Sequence, residues 1–271
     1  MPAATFTIVT PVLNGEKFIA QTAASIFQQA SPATPLAWLI VDGGSTDSTL
    51  AILNDLSPPA HATLSVMPDT RRGQAAAINL GLSHATGNIL AWLGADDLYQ
   101  PGAFAAVARD LSTQKPAWLI GDCTIINPAG QPIRRSVSRY KSRHLLAARD
   151  NPTKALSTLL SGVNFISQPA VFFNRPAFTA TGPLDESLHY TMDYDLWLRL
   201  YRICPPTITT DRLASFRLHP ASKSGQTSRD QFAEQLAVAT RHTENPKLLA
   251  SHRRRIRLFH AAYRVMKLLN W

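Results

Sequence analysis

The sequence predicts an α/β fold in which helices cover a mostly parallel sheet. In the first hundred residues, short apolar stretches typical of strands alternate with stretches whose apolar residues recur at helical intervals. Three of the strand-like stretches run directly into acidic residues, and no internal repeat or low-complexity tract interrupts the alternation. With 271 residues, of which 45% are hydrophobic, the chain is long enough to bury the core of one large domain.

The first half contains four predicted strands with helices between them. After the first strand, Phe18, Thr22, Ile26 and Gln29 recur at helical spacing. Two glycines after the second strand permit a tight turn, and the Ser, Thr and Asp residues that follow can cap a second helix. A third helix is predicted over residues 73–85. The four strands are predicted at residues 6–10, 38–41, 63–67 and 89–93.

The second half mixes strands and helices less regularly. A helix is predicted over residues 194–202. The chain from about residue 228 onward has a helical pattern, with a break at Pro246. Strands are predicted at residues 118–121, 170–173 and 207–216.

Composition excludes several classes of protein. No apolar run approaches the roughly 18 residues that a membrane-spanning helix needs. The N-terminus lacks the basic and apolar regions of a signal peptide. Two cysteines, Cys123 and Cys204, are too few for a disulfide framework or a zinc cluster. These observations predict a cytoplasmic protein whose two cysteines are reduced and buried.

The net charge of +9 is concentrated in two segments. Residues 241–271 carry eight Lys and Arg against one Glu, and residues 131–154 carry seven against one Asp. A basic stripe and an apolar face in the C-terminal tail suit a helix lying in an anionic membrane interface, and they suit a terminal helix packed on its own domain equally well. Nucleic acid is not an expected partner, because the basic stripe lacks interleaved aromatic side chains. The basic stripe of the tail consists of Arg253, Arg257, His260, Arg264 and Lys267.

Acidic residues follow three predicted strands: Asp42 the second, Asp69 the third, and Asp96 with Asp97 the fourth. In open α/β sheets, ligands bind beyond the carboxyl ends of the strands. Carboxylates gathered there indicate a cation, and Mg²⁺ or Mn²⁺ takes one or two carboxylates together with substrate phosphates. Turn formation by Asp42 and helix capping by Asp96 and Asp97 are the structural alternatives. Neither glycine-rich motif of the dinucleotide-binding and P-loop proteins is present.

A series of short motifs resembles glycosyltransferase family 2, whose members have the GT-A fold. The series runs in order through about residues 5–225. The resemblance implies a Rossmann-like mixed sheet flanked by helices, here with a helical, basic C-terminal extension. The motifs are TPVLN at 10–14, VDGGSTD at 41–47, GQ at 73–74, AIN at 77–79, LGADDL at 93–98, NFISQPA at 164–170, DESLHYTMDYDLW at 185–197 and FRLHP at 216–220.

The resemblance implies roles for individual residues. Asp193 matches the catalytic base, which takes a proton from the acceptor hydroxyl in an inverting transfer; capping of the following helix is its structural alternative. Asp96, Asp97 and His219 are expected to hold Mn²⁺ or Mg²⁺. Gly94 stands where the family motif often has Asp or Asn. Contacts to the donor nucleotide are expected from Thr10, Pro11, Asn14, Asp42, Asp69, Arg72, Asn79, Asp96 and Arg217.

The predicted function is therefore transfer of a sugar from a nucleotide diphosphate sugar to an acceptor hydroxyl. By resemblance the donor is a UDP-sugar, and the acceptor is a glycan or a lipid-linked molecule in polysaccharide or glycolipid biosynthesis. We expect a catalytic domain over residues 1–225, with a nucleotide half (1–100) and an acceptor half (101–225), and an extension over residues 226–271. A membrane-binding tail would place the protein at the inner face of the membrane.

Two other functions stay open at this stage. A non-catalytic nucleotide- or glycan-binding protein of the same fold would bind the donor without turnover. A sugar nucleotidyltransferase would share the α/β layout and the metal, but it would need a basic phosphate-binding loop near the N-terminus. Lys17 is the only basic residue between residues 5 and 20, which disfavours the nucleotidyltransferase.

Overall fold

The computed structural model describes residues 4–69, 73–222 and 229–268, with side chains up to residue 259. In this part of the chain, the centre is one mixed sheet of order β3-β2-β1-β4-β7-β6-β8-β5. The strands are β1 (Phe6–Val12), β2 (Leu36–Asp42), β3 (Ala62–Pro68), β4 (Ile89–Trp92), β5 (Leu98–Tyr99), β6 (Trp118–Ile126), β7 (Val171–Asn174) and β8 (Thr207–Arg217).

Helices connect the strands and cover both faces of the sheet. A 3₁₀ turn at Gln168–Ala170 leads into β7. The helices are α1 (Ile19–Phe27), α2 (Thr49–Asn54), α3 (Gln74–Ser83), α4 (Ala103–Asp110), α5 (Arg135–Asp150), α6 (Pro152–Leu160), α7 (Arg175–Thr181), α8 (Met192–Ile203), α9 (Arg229–His242) and α10 (Pro246–Leu268).

The strands β1 to β4 form a parallel half-sheet. β2 pairs with β1 and β3, and β1 also pairs with β4. In this register Val12 lies beside Asp42, and Asp42 lies beside Pro68. Because parallel strands end on the same side, their loops leave together. We call this side, at the ends of β1 to β4, the carboxyl edge.

The other half of the sheet is mostly antiparallel. β7 is antiparallel to both β4 and β6, β8 is parallel to β6, and β5 is antiparallel to β8. A register irregularity interrupts the pairing of β6 with β8 near Asp122. The sheet therefore joins a parallel half to a second half of mixed direction, which is the mixed sheet that the family resemblance implies.

Alternate residues of the central strands pack against opposite helical layers. Ile8 and Trp38 belong to one buried cluster, which includes side chains of α1 and α4. Val9 and Leu39 belong to the other, which includes side chains of α3 and α8. Since successive strand residues point to opposite faces, both faces of β1 and β2 are apolar and both are covered.

The C-terminal helices pack on the rest of the protein. α9 lies against α8, and α10 contacts α6 and α9. Val238 and Ala239 of α9 are fully buried, in the same cluster as the apolar side chains of α8. His252 of α10 is also buried, and its Nδ1 donates to the Leu160 carbonyl at 3.0 Å. Among the described residues, no helix combines the length and apolarity that crossing a membrane requires.

The structure confirms the predicted α/β fold with a helical extension and adjusts some boundaries. β6 runs five residues beyond Gly121, because its second half pairs with β8. α8 begins at Met192, two residues before the predicted start. The two-residue strand β5 is too short to leave a pattern in the sequence. Both cysteines are free, Cys123 buried and Cys204 half-buried.

Candidate active site

Asp42 ends β2 at the carboxyl edge and folds the loop that follows. Its carboxylate accepts hydrogen bonds from the backbone N–H groups of Gly44 and Ser45, both at 3.0 Å, and from the Ser45 hydroxyl at 2.5 Å. The turn-forming role considered for Asp42 is thus present. The backbone N–H of Asp69, just after β3, donates to the Asp42 carbonyl at 2.7 Å. Asp42 and Asp69 therefore lie at neighbouring strand ends, as predicted.

The loop after β1 is tied to the loop after Asp42. Asn14, with φ of +54°, accepts from the Thr46 N–H at 2.9 Å and donates its own N–H to the Ser45 hydroxyl at 2.9 Å. Asn14 is exposed and Pro11 is half-buried, so both are accessible. Thr10 is fully buried, and its hydroxyl accepts from an indole N–H of β2. The Thr10 side chain therefore faces the core, and only its backbone borders the edge.

Two more residues of the expected nucleotide site belong to the segment around α3. Arg72 lies outside the described residues. Asn79 is buried on α3, where its side chain donates to the Leu184 carbonyl and the Glu186 carboxylate and accepts from the Leu184 N–H, each at 2.9 Å. Asn79 thus fastens α3 to the segment that leads into α8. A cavity of about 90 Å³ between them is lined by residues 73–76, residues 186–189 and Met192.

Asp96 and Asp97 converge above Gly94, just after β4. A Cβ atom built on Gly94 would lie 2.7 Å from Asp96 Oδ1 and 3.0 Å from Asp97 Oδ2. These distances are shorter than real Cβ contacts allow or at their limit, so a side chain at this position would push the carboxylates apart. The glycine leaves open a space that carboxylate oxygens border from two sides.

Asp97 is almost completely buried, with 3% of its surface exposed. Its Oδ1 accepts the backbone N–H of Arg217 at 2.8 Å. Burial, and next the neighbouring Asp96 charge, raise the pKa of Asp97 well above its usual value, and Arg217 opposes them only in part. Burial and mutual repulsion both disfavour ionisation of these two carboxylates, and a cation placed between them would stabilise their charged forms.

His219 joins this pair from the loop after β8. Its Nε2 lies 2.8 Å from Asp96 Oδ2, and its ring packs on Phe18. In the parts of the chain that the structure describes, no three His, Cys, Asp or Glu side chains form a complete metal cage. The donor set fits a Mg²⁺ or Mn²⁺ ion that uses one or two carboxylates and completes its shell with water and phosphate oxygens.

Arg217 lies beneath the Asp96 loop and offers no exposed surface to a nucleotide. It is fully buried, and its guanidinium stacks on the Phe18 ring at 4.6 Å. The side chain is therefore placed to position the loop, which differs from the direct nucleotide contact that the resemblance implied. Its guanidinium donates to the carbonyls of Asp96 (2.7 Å), Asn127 (3.3 Å) and Pro128 (2.7 Å) and to the side chain of Gln21 (2.9 Å).

Asp193 is the second residue of α8, and Thr191 occupies the N-cap position. Asp193 is therefore not the N-cap residue, but its Oδ1 accepts the first-turn N–H of Tyr194 at 2.7 Å, and this is its one hydrogen bond among the described residues. Burial raises the pKa of Asp193, the charge of Lys141 opposes the rise, and the charge of Glu234 adds to it. A carboxylate with a raised pKa is a stronger proton acceptor than an ordinary aspartate.

Lys141, a residue of α5 that lies near Asp193, was not identified from the sequence. Its ammonium donates to the Ile166 carbonyl and the Ser167 hydroxyl, both at 3.3 Å. Burial lowers the pKa of Lys141, and the negative charge of Asp193 opposes this. Exposed arginines flank Lys141 in the same basic segment. The sequence alone therefore does not distinguish this half-buried lysine from its solvated neighbours.

Two observations place Asp193 at the carboxyl edge. Trp197, one turn after Asp193 and on the same helix face, stacks on Trp92 at the end of β4, with ring centroids 5.5 Å apart. The Cys123 thiol lies near both Asp97 and Lys141: burial and the charge of Asp97 raise its pKa to about 12, and Lys141 opposes this rise. The proposed base and the acidic pair therefore share one edge of the sheet.

Asp195 points away from this edge, as its spacing from Asp193 predicts. Its Oδ2 accepts from Arg199 Nε at 2.7 Å, and its Oδ1 lies 3.1 Å from His242 Nε2. Burial raises the pKa of Asp195, but the hydrogen bonds to His242 and Arg199 outweigh it and lower the pKa overall. Asp195 thus links α8 to α9 and takes no part in the site.

The basic stripe of the tail is described only in part. Arg253 and Arg257 are exposed on α10, together with Leu258 and Phe259. The side chains of His260, Arg264 and Lys267 lie outside the described residues. The opposite side of α10 packs on the domain through the buried His252.

Comparison with known proteins agrees with this geometry. The family model described as Glycosyl transferase family 2 matches residues 7–180. A Mycobacterium bovis protein named PGL/p-HBAD biosynthesis glycosyltransferase is 32% identical over 202 residues, covering 74% of this chain and 71% of its own length. An uncharacterized glycosyltransferase of Rickettsia prowazekii is 24% identical over 231 residues, covering 84% of this chain and 68% of its own.

Solved structures share the fold at low sequence identity. TarS (residues 1–349) of S. aureus, in complex with UDP-GlcNAc, has a TM-score of 0.66 at 17% identity; the match covers 87% of this chain and 66% of that one. Glucosyl-3-phosphoglycerate synthase of Mycobacterium tuberculosis, in complex with Mn²⁺, UDP and glucosyl-3-phosphoglycerate, has a TM-score of 0.58 at 18% identity, covering 88% and 80%. The chain thus has the predicted fold and spans about two thirds of the TarS fragment.

Proposed function

Because the chain belongs to glycosyltransferase family 2, we propose that it transfers a sugar from a UDP-sugar to an acceptor hydroxyl, with inversion at the anomeric carbon. The observation that carries the proposal is the shared carboxyl edge. Asp42 and Asp69 lie at the ends of β2 and β3, the Asp96–Asp97 pair follows β4, and Asp193 reaches the same edge from α8. The residues proposed to bind the donor, to hold the cation and to act as the base thus belong to one edge of the sheet.

The donor nucleotide occupies the end of the parallel half-sheet in this proposal. Asp42 and Asp69 contact the base, with Asn14 and the backbone of Thr10 and Pro11 beside them, and Arg72 completes the base site. Asp96 contacts the ribose or the cation. Asn79 and Arg217 act indirectly, by fixing α3 and the Asp96 loop, because their polar atoms already bind protein groups.

Asp96, Asp97 and His219 would hold Mn²⁺ or Mg²⁺, and the contact of His219 with Asp96 keeps the imidazole beside the acidic pair. Bound there, the cation would offset the negative charge that builds on the departing diphosphate. A Mn²⁺ ion accompanies the nucleotide in the glucosyl-3-phosphoglycerate synthase complex and in that of a Pyrobaculum calidifontis mannosyltransferase with GDP-Man.

Asp193 acts as the base in this mechanism. Its carboxylate accepts the proton of the acceptor hydroxyl while the oxygen attacks the anomeric carbon from the side opposite the diphosphate. Its raised pKa favours this transfer, and the charge of Lys141, which opposes the rise, favours the ionised form. Positioning of the acceptor supplies much of the remaining rate.

The acceptor in this proposal is a glycan or a lipid-linked molecule in polysaccharide or glycolipid biosynthesis. A mycobacterial relative named PGL/p-HBAD biosynthesis glycosyltransferase supports an acceptor in a biosynthetic pathway. The exposed basic and apolar side chains of α10, Arg253, Arg257, Leu258 and Phe259, suit attachment to an anionic membrane surface from the cytoplasmic side.

Calorimetry tests donor binding directly. UDP, dTDP and GDP are titrated into the wild type with Mn²⁺ and with chelator, and into Asp96→Ala. We expect micromolar binding of UDP that weakens at least tenfold, about 1.4 kcal/mol, without the metal or without the carboxylate. Asp55→Ala, an exposed aspartate of the same half, serves as the control and should bind as the wild type does. A folded protein that binds none of the three nucleotides would refute the proposal.

A further inference from the structure

The segment that precedes Asp193 is held by a single carboxylate from α9. Glu234 Oε1 accepts the backbone N–H of His189 at 2.8 Å. Glu234 Oε2 accepts the N–H groups of Tyr190 (2.7 Å) and Thr191 (2.8 Å) and the Thr191 hydroxyl (2.9 Å). Four donors on three consecutive residues therefore converge on one side chain, which lies more than forty residues further along the chain.

These hydrogen bonds hold the N-cap residue of α8 and the two residues before it. Thr191 occupies the N-cap position, but its hydroxyl makes no capping bond to the helix and donates to Glu234 instead. The first N–H groups of a helix lack internal partners, and negative charge near them is stabilising. Glu234 thus fixes the position and direction of the first turn of α8, where Asp193 lies.

The bonds also keep Glu234 charged. Burial raises the pKa of Glu234, but the donors at His189, Tyr190 and Thr191 outweigh it and lower the pKa overall. The charge in turn raises the pKa of Asp193, while Lys141, on α5, lowers it. The charges that act on Asp193 in the described structure are thus those of Lys141 on α5 and Glu234 on α9.

We propose that Glu234 is a positioning residue for Asp193, which fixes the first turn of α8 and strengthens the base, so that the C-terminal extension completes the acceptor half of the site. The inference rests on the proposed function of Asp193. Glu234 lies on α9, in the predicted C-terminal extension over residues 226–271 and outside residues 7–180, which the family model matches. The family match assigns no role to this residue.

The test measures UDP release from UDP-glucose, UDP-galactose and UDP-N-acetylglucosamine with Mn²⁺ and water as acceptor, from pH 5 to pH 9. Glu234→Gln keeps the shape and one acceptor oxygen but removes the charge. We expect the rate to fall about tenfold. The acidic limb of the pH–rate profile should move to lower pH by about 0.5 unit, because loss of a neighbouring negative charge lowers the pKa of Asp193. Nucleotide affinity should stay within about twofold of the wild type.

Two further variants separate this role from a purely structural one. Lys141→Met removes the opposing charge and should move the acidic limb to higher pH. Thr240→Ala, an exposed change on α9, should leave rate and limb unchanged. A Glu234→Gln variant with the wild-type rate and limb, or with a slower rate and an unmoved limb, overturns the inference. A wild type that binds no nucleotide and releases no UDP overturns the proposed function, which the calorimetry detects separately.

Discussion

Single residues at the carboxyl edge divide into those that we propose to contact the donor, the cation or the acceptor and those that we propose to hold the others in place. Asp42, Asp96, Asp97 and Asp193 present carboxylates at the edge, whereas Arg217 is buried beneath them and donates to the protein on several sides. The motifs do not reveal this division, because the same motif could hold a buried arginine or an arginine that binds the ligand. Burial and hydrogen-bond partners decide the role.

Substitution of Gly94 tests the space between the acidic residues. In Gly94→Ala the new Cβ would lie 2.7 Å from Asp96 Oδ1, so the carboxylates must separate. We expect Mn²⁺-dependent UDP affinity to fall at least tenfold, about 1.4 kcal/mol, by calorimetry. Affinity measured with chelator should equal that of the wild type with chelator. Unchanged Mn²⁺-dependent binding would show that no cation occupies this space.

Among the elements, α8 links the base to the core. Trp197 is fully buried and stacks between Trp92 of β4 and Trp118 of β6, at 5.5 and 5.9 Å. On the other side of the helix, Asp195 pairs with Arg199 and His242. The face that carries Asp193 and Trp197 thus packs on the sheet, and the face that carries Asp195 packs on α9.

Removal of the central ring should weaken the whole fold. Trp197→Ala leaves a large cavity in the core, and we expect the free energy of unfolding to fall by about 3–5 kcal/mol in urea denaturation. Tyr140→Ala removes an aromatic ring that is 44% exposed and should change stability by less than about 0.5 kcal/mol. Equal stability of the two variants would contradict the role given to the tryptophan stack.

The sequence predicted the elements and the acidic strand ends well, because local patterns determine them. The strands β1 to β4, the positions of Asp42, Asp69 and the Asp96–Asp97 pair, and the helical tail all follow from periodicity and turn residues. Glu234 and Lys141 could not be found in this way. Their roles depend on contacts between distant segments, and each stands in a stretch whose local pattern indicates only a helix surface.

At the scale of the whole molecule, both halves of the sheet and the C-terminal helices contribute residues to the proposed site. The parallel half supplies the acidic pair and the mixed half leads to α8. Lys141 of α5 and Glu234 of α9 act on Asp193 with opposite charges. The site therefore depends on segments from both ends of the chain, and we expect the helices after residue 228 to be required for activity as well as for packing.

Turnover with and without the proposed base tests the account most directly. UDP release from the three UDP-sugars, with Mn²⁺, is compared between the wild type and Asp193→Asn, and calorimetry of UDP binding confirms that each protein retains its donor site. The account predicts that the wild type releases UDP from one of the sugars. It also predicts that Asp193→Asn binds UDP normally but reacts more slowly by a factor of about 10² or more. Turnover by Asp193→Asn at the wild-type rate, or none by a nucleotide-binding wild type, would contradict it.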